Sequence, residues 1–331
     1  MDQAVDNPAS NILGPGIADA DLIEAVRRSG YPLQTVVGEQ LQADFRVQDE
    51  WGFIDRDTGE ARALDLAASK WLWGPDQPRI RPELNLLIEC KQSELPYVFF
   101  LRGKGPILRS PLVVGGRGTE VTLTTDDDRS SYRLDVLSAL GVDGHDFAST
   151  PRHAVTFSKA VRKGKGLDLS GSDAYTSLFL PVLKAMLFFE KTHAGPPKWY
   201  SDLHLVVGVG VLDAPIVGVS VANQQPTFEL VPWVRALRHE SYETTSPFER
   251  HRLFAIDIVH SAFLDRYVSE HLIPFARVFG ERVIAKQALL LAEKGYARGL
   301  GRGARGDALY ETLEERPPGD RVRRLWRPLR N

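Results

Sequence analysis

The spacing of apolar residues near the amino terminus predicts two successive helices. Residues 19–28 form a short helical segment that ends before Gly30. The Tyr31-Pro32 pair then places proline in the first turn of the next helix. We expect that helix to bury a stripe made of Leu33, Val36, Val37 and Leu41. Residues 1–18 lack this periodicity and are predicted to be a flexible lead.

A group of β-strands is predicted next. Residues 45–54 and 61–68 have strand patterns on either side of the turn signal Asp57-Thr58-Gly59, which predicts a hairpin. A loop rich in Gly and Pro over 71–82 leads to a third strand at 84–91. Residues 97–101 are predicted to be a fourth strand.

The second half of the chain is predicted to contain a long helix and several buried strands. Ser172 is a suitable N-cap for a helix that runs to about residue 192. Its apolar face is predicted to consist of Leu178, Val182, Ala185, Met186 and Phe189. Strong β-patterns cover 203–212, 216–221 and 254–259, residues 228–242 are mixed, and 263–291 are largely helical with a break near Pro274.

This order of elements predicts an α/β domain built around a mixed central sheet that is flanked by helices. We expect the domain to span residues 19–292. An insertion over about 102–170 is predicted to hold loops and one short helix near 132–140. Residues 293–331 are predicted to be an Arg/Gly-rich tail.

Composition narrows the functional classes. The 331 residues carry a formal net charge of -2, so any contact with nucleic acid must come from a local basic patch. The single cysteine, Cys90, excludes an internal disulfide and favours a reducing compartment. The polar start of the chain is unlike a signal peptide, and the longest apolar runs are about half a membrane span. We therefore expect a soluble cytoplasmic protein.

The triplet Glu89-Cys90-Lys91 is the first candidate for chemistry. Side chains alternate along a strand, so Glu89 and Lys91 are expected to share one face. Eleven lysines and 43 acids in 331 residues would place an acid two positions before a lysine about once by chance. The triplet therefore needs support from its surroundings, and a strand-tip salt bridge is the alternative interpretation.

Two features of the surroundings give that support. The triplet ends the apolar run Leu84–Ile88, where a charged pair is costly unless it has a partner. The hairpin also brings an isolated acid, Asp65, onto a neighbouring strand, with Leu64 and Leu66 expected to face together on the opposite side. Two carboxylates at one point suit Mg²⁺ or Mn²⁺. A lysine beside them is suited to orienting water and offsetting charge on a phosphate, which predicts metal-assisted phosphodiester hydrolysis.

These motifs resemble the PD-(D/E)xK nuclease superfamily, in a bacterial branch of the restriction-endonuclease-like fold. The resemblance covers about residues 30–101 well and is looser through the long helix and the 203–212 strand. It implies an αβββαβ core with a helical C-terminal extension, and a metal-dependent nuclease acting on DNA rather than RNA, in restriction, repair or phage defence. The matching segments are Gly30-Tyr31-Pro32-Leu33, Asp57-Thr58-Gly59, Arg62-x-Leu64-Asp65-Leu66, Ile88-Glu89-Cys90-Lys91 and Pro96-Tyr97-Val98-Phe99-Phe100.

The resemblance also assigns roles by position. Asp65, Glu89 and the backbone carbonyl of Cys90 would hold the metal, Lys91 would be the catalytic lysine, and Gln92 would support the site. Relatives often add an acid on the first helix. Here Glu39 is a candidate for that acid, and Gln34 occupies another suitable position. Ala63 stands where many relatives have a further acid, which leaves the number of metal ions open.

Two basic stretches are candidates for phosphate contacts, with solvated loops as the alternative interpretation. Their candidate residues are Lys104, Arg109, Lys159, Arg162, Lys163 and Lys165. A second function class stays open: a nucleic-acid-binding or protein-interaction module with little catalysis on the same fold. A third hypothesis is a nuclease that is silent until a partner or a small-molecule signal assembles it, as in genome-defence systems, and the long insertions suit it. A homo-oligomer or a partner protein in defence or repair is compatible with the sequence.

Overall fold

The structure is a computed structural model. It describes residues 7–102, 111–125, 131–195, 199–241, 251–297 and 307–314. The helices are α1 (Asp19–Arg28), α2 (Tyr31–Gln42), α3 (Val136–Ala139), α4 (Asp146–Ser149), α5 (Gly171–Ala174), α6 (Leu180–His193), α7 (Leu264–Arg266), α8 (Ile273–Ala285), α9 (Gln287–Ala292) and α10 (Asp307–Thr312). Tyr175–Phe179 and Tyr267–Leu272 are π-helical turns that lead into α6 and α8.

The strands fall into two sheets. In chain order they are β1 (Arg46–Ile54), β2 (Ala61–Trp71), β3 (Ile80–Gln92), β4 (Tyr97–Arg102), β5 (Leu112–Gly115), β6 (Glu120–Thr125), β7 (Ser131–Asp135), β8 (His153–Lys163), β9 (Gly166–Ser170), β10 (Ser201–Asp213), β11 (Ile216–Ala222), β12 (Gln225–Leu230), β13 (Trp233–Ser241), β14 (His251–His260), β15 (Lys294–Ala297) and β16 (Leu313–Glu314).

The large sheet has the order β1-β2-β3-β10-β14-β13-β8-β4-β11-β12, with β5 beside β10 and β9 beside β8. Strand β2 is antiparallel to both β1 and β3, whereas β10 lies parallel to both β3 and β14. A smaller sheet has the order β16-β15-β6-β7. The protein is therefore an α/β protein with a large mixed sheet flanked by helices, as predicted.

Each face of the large sheet is covered by a helix, and apolar side chains fill both layers. On one face, Val37 and Leu41 of α2 and Phe279 of α8 pack on β3 and β10. On the other, α6 packs close to β10, because a side chain at Gly208 would meet Val182 at 2.7 Å. The predicted stripe on α2 is wrong at one position, since Val36 is 50% exposed. Within the described residues, no helix is long and apolar enough to cross a membrane.

The first half of the chain follows the sequence prediction more closely than the insertion and the tail do. Helix α1 has its predicted ends, and α2 begins at Tyr31 as predicted. Strands β1 to β4 appear in order, with β2 running to Trp71 and β3 starting at Ile80. The insertion is not mainly loops: β8 enters the large sheet between β13 and β4. The predicted tail contributes β15 and β16 to the small sheet.

Candidate active site

The β2–β3 ladder stops at the residues that the sequence singles out. The last backbone pair is Leu66 with Ile88, and the same register continued by one residue would set Asp65 opposite Glu89. Beyond Leu66 and Ile88, hydrogen bonds to side chains replace the backbone–backbone pairs. The Cys90 N–H donates to Asp65 Oδ2 at 2.7 Å, and the Asp65 backbone donates to the Glu89 carboxylate. The β2 and β3 strands are therefore joined here by one hydrogen bond to the Asp65 carboxylate and one to the Glu89 carboxylate.

The β1–β2 ladder is interrupted at the same residue. Asp49 pairs with Leu66 and Trp51 pairs with Leu64, which leaves Glu50 opposite Asp65 with a φ of 48°. Positive φ is uncommon for a residue with a side chain and marks local strain. Asp65 therefore lies between two glutamates, one on each neighbouring strand.

The chain also changes face at this irregularity. Leu66 packs in the core layer beneath α2, whereas Leu64 packs in the layer beneath α6. The prediction that Leu64 and Leu66 share a face is therefore wrong. It assumed unbroken strand alternation, and alternation fails where both ladders of β2 are interrupted.

Gln34 of α2 bridges the two interrupted strands. Its Nε2 donates to Glu50 Oε1 and to the Asp65 carbonyl, each at 3.0 Å. Because the Gln34 side chain is buried, the loss of these hydrogen bonds would reduce the stability of the fold. Glu39, the predicted helix acid, lies exposed on α2, so the α2 side chain that hydrogen-bonds to Asp65 is Gln34.

Lys91 completes the group. Its Nζ pairs with Glu89 Oε1, and its charge also acts on Asp65. The Glu89 side chain is 8% exposed and that of Lys91 is 31% exposed, so the lysine forms the solvent side of the cluster. Leu86, Leu87 and Ile88 are buried before it, between β2 and β10. The apolar lead-in thus fixes the strand that carries Glu89 and Lys91.

The acids of this cluster hold their protons more tightly than free side chains do. Burial raises the pKa of Glu89 to about 7, and the charge of Asp65 adds to this while Lys91 opposes it. Burial also raises the pKa of Asp65, with Glu50 adding to the effect. The pKa of Lys91 is raised: burial opposes the charged form, but Glu89 outweighs it. A cation placed between the acids would relieve this crowding of negative charge.

The donor set fits a hard divalent cation held partly by non-protein ligands. Asp65 and Glu89 supply carboxylate oxygens, and the backbone carbonyl of Cys90 is the predicted third ligand. Oxygen ligands of this kind suit Mg²⁺, which keeps several waters or substrate oxygens in its shell. Among the described residues, no group of three or more His, Cys, Asp or Glu side chains converges on one metal position. Water or substrate oxygens would therefore have to complete the coordination of a metal at Asp65 and Glu89.

The other predicted site residues lie farther from the cluster or outside the described chain. Gln92 donates to Asp213 Oδ2 at 3.1 Å, and strand alternation turns it to the face opposite Lys91. Lys104 and Arg109 lie outside the described residues.

The remaining basic candidates lie on the β8–β9 hairpin. Lys159 Nζ is 5.4 Å from the centre of the Tyr97 ring, and Tyr97 in turn acts electrostatically on Lys91. Arg162, Lys163 and Lys165 are exposed at the end of the hairpin, where Lys163 pairs with Asp168 at 2.9 Å. Lys159 is therefore the basic residue that connects this hairpin to the site.

Glu50 is the site residue that sequence reasoning missed. An exposed acid in a polar strand carries no local signal. Only the pairing register, which sets it opposite Asp65, reveals its place. Comparisons with known proteins add no further residue, because no family model, no curated protein and no solved structure matches this chain.

Proposed function

We propose that this protein is a metal-dependent nuclease that hydrolyses phosphodiester bonds, with DNA preferred over RNA. The observation that carries the proposal is the clustering of Asp65, Glu89 and Lys91 at the point where two strand ladders stop. The Asp65 carboxylate accepts from the Cys90 N–H, while Glu89 accepts from the Asp65 backbone and pairs with Lys91. Carboxyl groups whose pKa is shifted by burial and by a specific charged partner are typical of catalytic sites.

The chain's own residues would divide the work as follows. Asp65 and Glu89 would hold Mg²⁺ or Mn²⁺, which supplies Lewis acidity toward the phosphate oxygens. Lys91 would orient the attacking water and offset negative charge that develops on the phosphate. Because Lys91 is paired with Glu89, its ammonium stays protonated and cannot itself act as the base at neutral pH.

The arrangement of the core supports the same proposal. The order α2, β1, β2, β3, α6 and β10, with β10 parallel to β3, agrees with the αβββαβ core that the sequence resemblance implies. On this basis we propose a restriction-endonuclease-like core. The exposed basic end of the β8–β9 hairpin is a suitable surface for substrate phosphates. A role in restriction, repair or phage defence belongs to the same proposal.

The test is cleavage of plasmid, linear and single-stranded DNA, and of RNA, in Mg²⁺, Mn²⁺ or EDTA. We expect cleavage only with metal, and its loss in Lys91→Ala and Asp65→Ala. Lys70→Ala is a matched control. Lys70 is a lysine of β2 that is 30% exposed and paired with Asp44, nearly as exposed as Lys91 at 31%. Metal-dependent cleavage that survives both site substitutions would refute this mechanism.

A catalytically weak nucleic-acid-binding module is the second candidate. It is favoured by the pairing of Lys91 with Glu89, because that pair occupies a carboxylate oxygen that a metal would need. This function predicts that DNA binding is unchanged by EDTA and that no substrate is cut in Mg²⁺ or Mn²⁺.

A further inference from the structure

A cavity lies on the α6 face of the large sheet. Its volume is about 160 Å³, and it opens beside Arg46, Gln48 and His193. An engineered cavity of about 150 Å³ in another protein holds one benzene molecule. The space therefore suits a single six-membered ring. It exists because Ala67 and Ser69 leave room beneath the end of α6.

The floor of this cavity is polar, although the same face is apolar elsewhere. Asn85 and His204 are buried, and Glu83 is 14% exposed. Buried polar groups are costly unless they are hydrogen-bonded, so three of them on an otherwise apolar face call for partners. By contrast, Leu87 and Val206 on this face belong to the core layer beneath α6.

His204 cannot satisfy both of its polar neighbours at once. His204 Nδ1 lies 3.2 Å from Glu83 Oε2 and 3.1 Å from Asn85 Nδ2. One ring nitrogen cannot donate to the carboxylate and also accept from the amide. His204 Nδ1 therefore serves only one of the two groups, and the other keeps hydrogen-bonding capacity for a ligand. Burial opposes ionisation of Glu83, but hydrogen bonds from His204 and Ser69 lower its pKa, so Glu83 is an acceptor. The only other partner of Asn85 Nδ2 among the described residues is the Glu83 carbonyl at 3.5 Å.

The walls of the cavity are aromatic. Trp51 and Phe189 have ring centroids 6.4 Å apart, and Phe189 stacks on His193 with centroids 3.9 Å apart. Flat rings are favoured against such surfaces. Arg46 stands at the mouth with 69% of its side chain exposed, where it donates to Ser69 at 3.2 Å and pairs with Glu83 at 3.7 Å. Its guanidinium is suited to an anionic group outside the cavity.

We propose that this cavity is a nucleobase pocket that receives the single ring of a pyrimidine nucleotide. Asn85 donates to a carbonyl of the base, Glu83 accepts from a ring or exocyclic N–H, and Arg46 contacts the phosphate. The ligand is either a free nucleotide or an unpaired base of a single strand. The proposal does not depend on catalysis, because Asn85, Glu83 and Arg46 are separate from Asp65, Glu89 and Lys91. The pocket wall does reach Leu87, two residues before Glu89.

Binding is tested by calorimetry in EDTA, where no metal-dependent cleavage occurs. The probes are uridine, cytidine, adenosine and guanosine monophosphates, together with a short oligothymidylate. We expect the two pyrimidine nucleotides, the oligothymidylate or both to bind, and the purine nucleotides to bind at least about tenfold more weakly. Binding of the oligonucleotide alone identifies the base of a strand as the ligand. Equal binding of purines, or no binding of any probe, would overturn the proposal.

Variants of the lining residues test whether the nucleotide binds in this cavity. Ala67→Leu fills it, and Ala61→Leu makes the same change at an exposed position of β2. We expect about tenfold weaker binding or more in the first and wild-type binding in the second. If Ala67→Leu does not fold by circular dichroism, Asn85→Ala removes the amide donors instead. Unchanged affinity in both Ala67→Leu and Asn85→Ala would contradict the assignment.

Discussion

Two acid–base pairs of the large sheet differ in their surroundings. Arg235 and Asp257 lie opposite each other on β13 and β14, and both are almost fully buried. Their contact is bidentate, with Nε to Oδ1 at 2.6 Å and Nη2 to Oδ2 at 3.0 Å. Tyr267 also donates to Asp257 at 2.9 Å, and Arg235 donates to the Phe147 carbonyl at 3.0 Å.

The pair formed by Lys91 and Glu89 is less complete. It has a single ammonium–carboxylate contact and a more exposed cation, and a second acid, Asp65, is held against it. A saturated buried pair fixes structure, whereas an acid crowded by another acid keeps spare lone pairs and a raised pKa. The difference separates a pair that holds two strands together from one that is available for chemistry.

The largest effect is expected when the saturated pair is broken. Arg235→Met leaves Asp257 buried without its cation, and we expect the free energy of unfolding to fall by about 3–5 kcal/mol. Lys91→Met should cost no more than about 1 kcal/mol, because Glu89 can take up a proton when its partner is lost. Urea unfolding at pH 7 measures both. A cost for Lys91→Met that equals that of Arg235→Met would make the Glu89 pair structural.

A second effect depends on pH and compares two glutamates of β3. The folded pKa of Glu89 is about 7, above the ordinary value of 4.5. Its contribution to stability is therefore fully present below about pH 4.5 and is lost as the pH rises through about 7. Relative to Glu89→Gln, we expect the wild type to lose up to about 3 kcal/mol between pH 5 and pH 8 in EDTA.

Glu83 supplies the control with the opposite sign. Despite its burial, the hydrogen bond from His204 lowers the pKa of Glu83, so its contribution is present above the ordinary value and is lost as the pH falls. Urea unfolding of Glu83→Gln across the same range should therefore show no loss of wild-type stability toward high pH. If both variants follow the same pH trend, the assignment of the raised pKa to Glu89 is wrong.

The smallest effect separates two residues of α2. Gln34→Ala removes the hydrogen bonds to Glu50 and to the Asp65 carbonyl, and we expect a loss of about 1–2 kcal/mol. Glu39→Ala, on the exposed face, should stay within about 0.5 kcal/mol of the wild type. Thermal unfolding of the two variants measures the difference. A larger effect at Glu39 would restore it as the helix residue of the site.

The sequence predicted the local elements well and the long-range pairing poorly. The ends of α1, the start of α2 and the hairpin of β1 and β2 follow from Gly30, Pro32, turn residues and periodicity, which are local signals. The entry of β8 between β13 and β4 depends on partners distant in the chain, and no local pattern encodes it. The same limit applies to β15, which pairs with β6.

The candidate site was likewise predicted in part from local sequence signals. The proximity of Asp65, Glu89 and Lys91 followed from the hairpin and from strand alternation. Glu50 and the change of face between Leu64 and Leu66 did not, because both arise from the interruption of two ladders at Asp65. An interruption of this kind depends on side chains replacing backbone partners, which periodicity does not record.

The most direct test of the proposed site is a Mn²⁺ titration at pH 8 followed by electron paramagnetic resonance. We predict that the wild type and Lys70→Ala each bind Mn²⁺ with a dissociation constant in the millimolar range or below, and that Asp65→Asn loses this binding. Wild-type protein that binds no Mn²⁺, or binding that is unchanged in Asp65→Asn, would contradict the proposal that Asp65 and Glu89 form a metal centre.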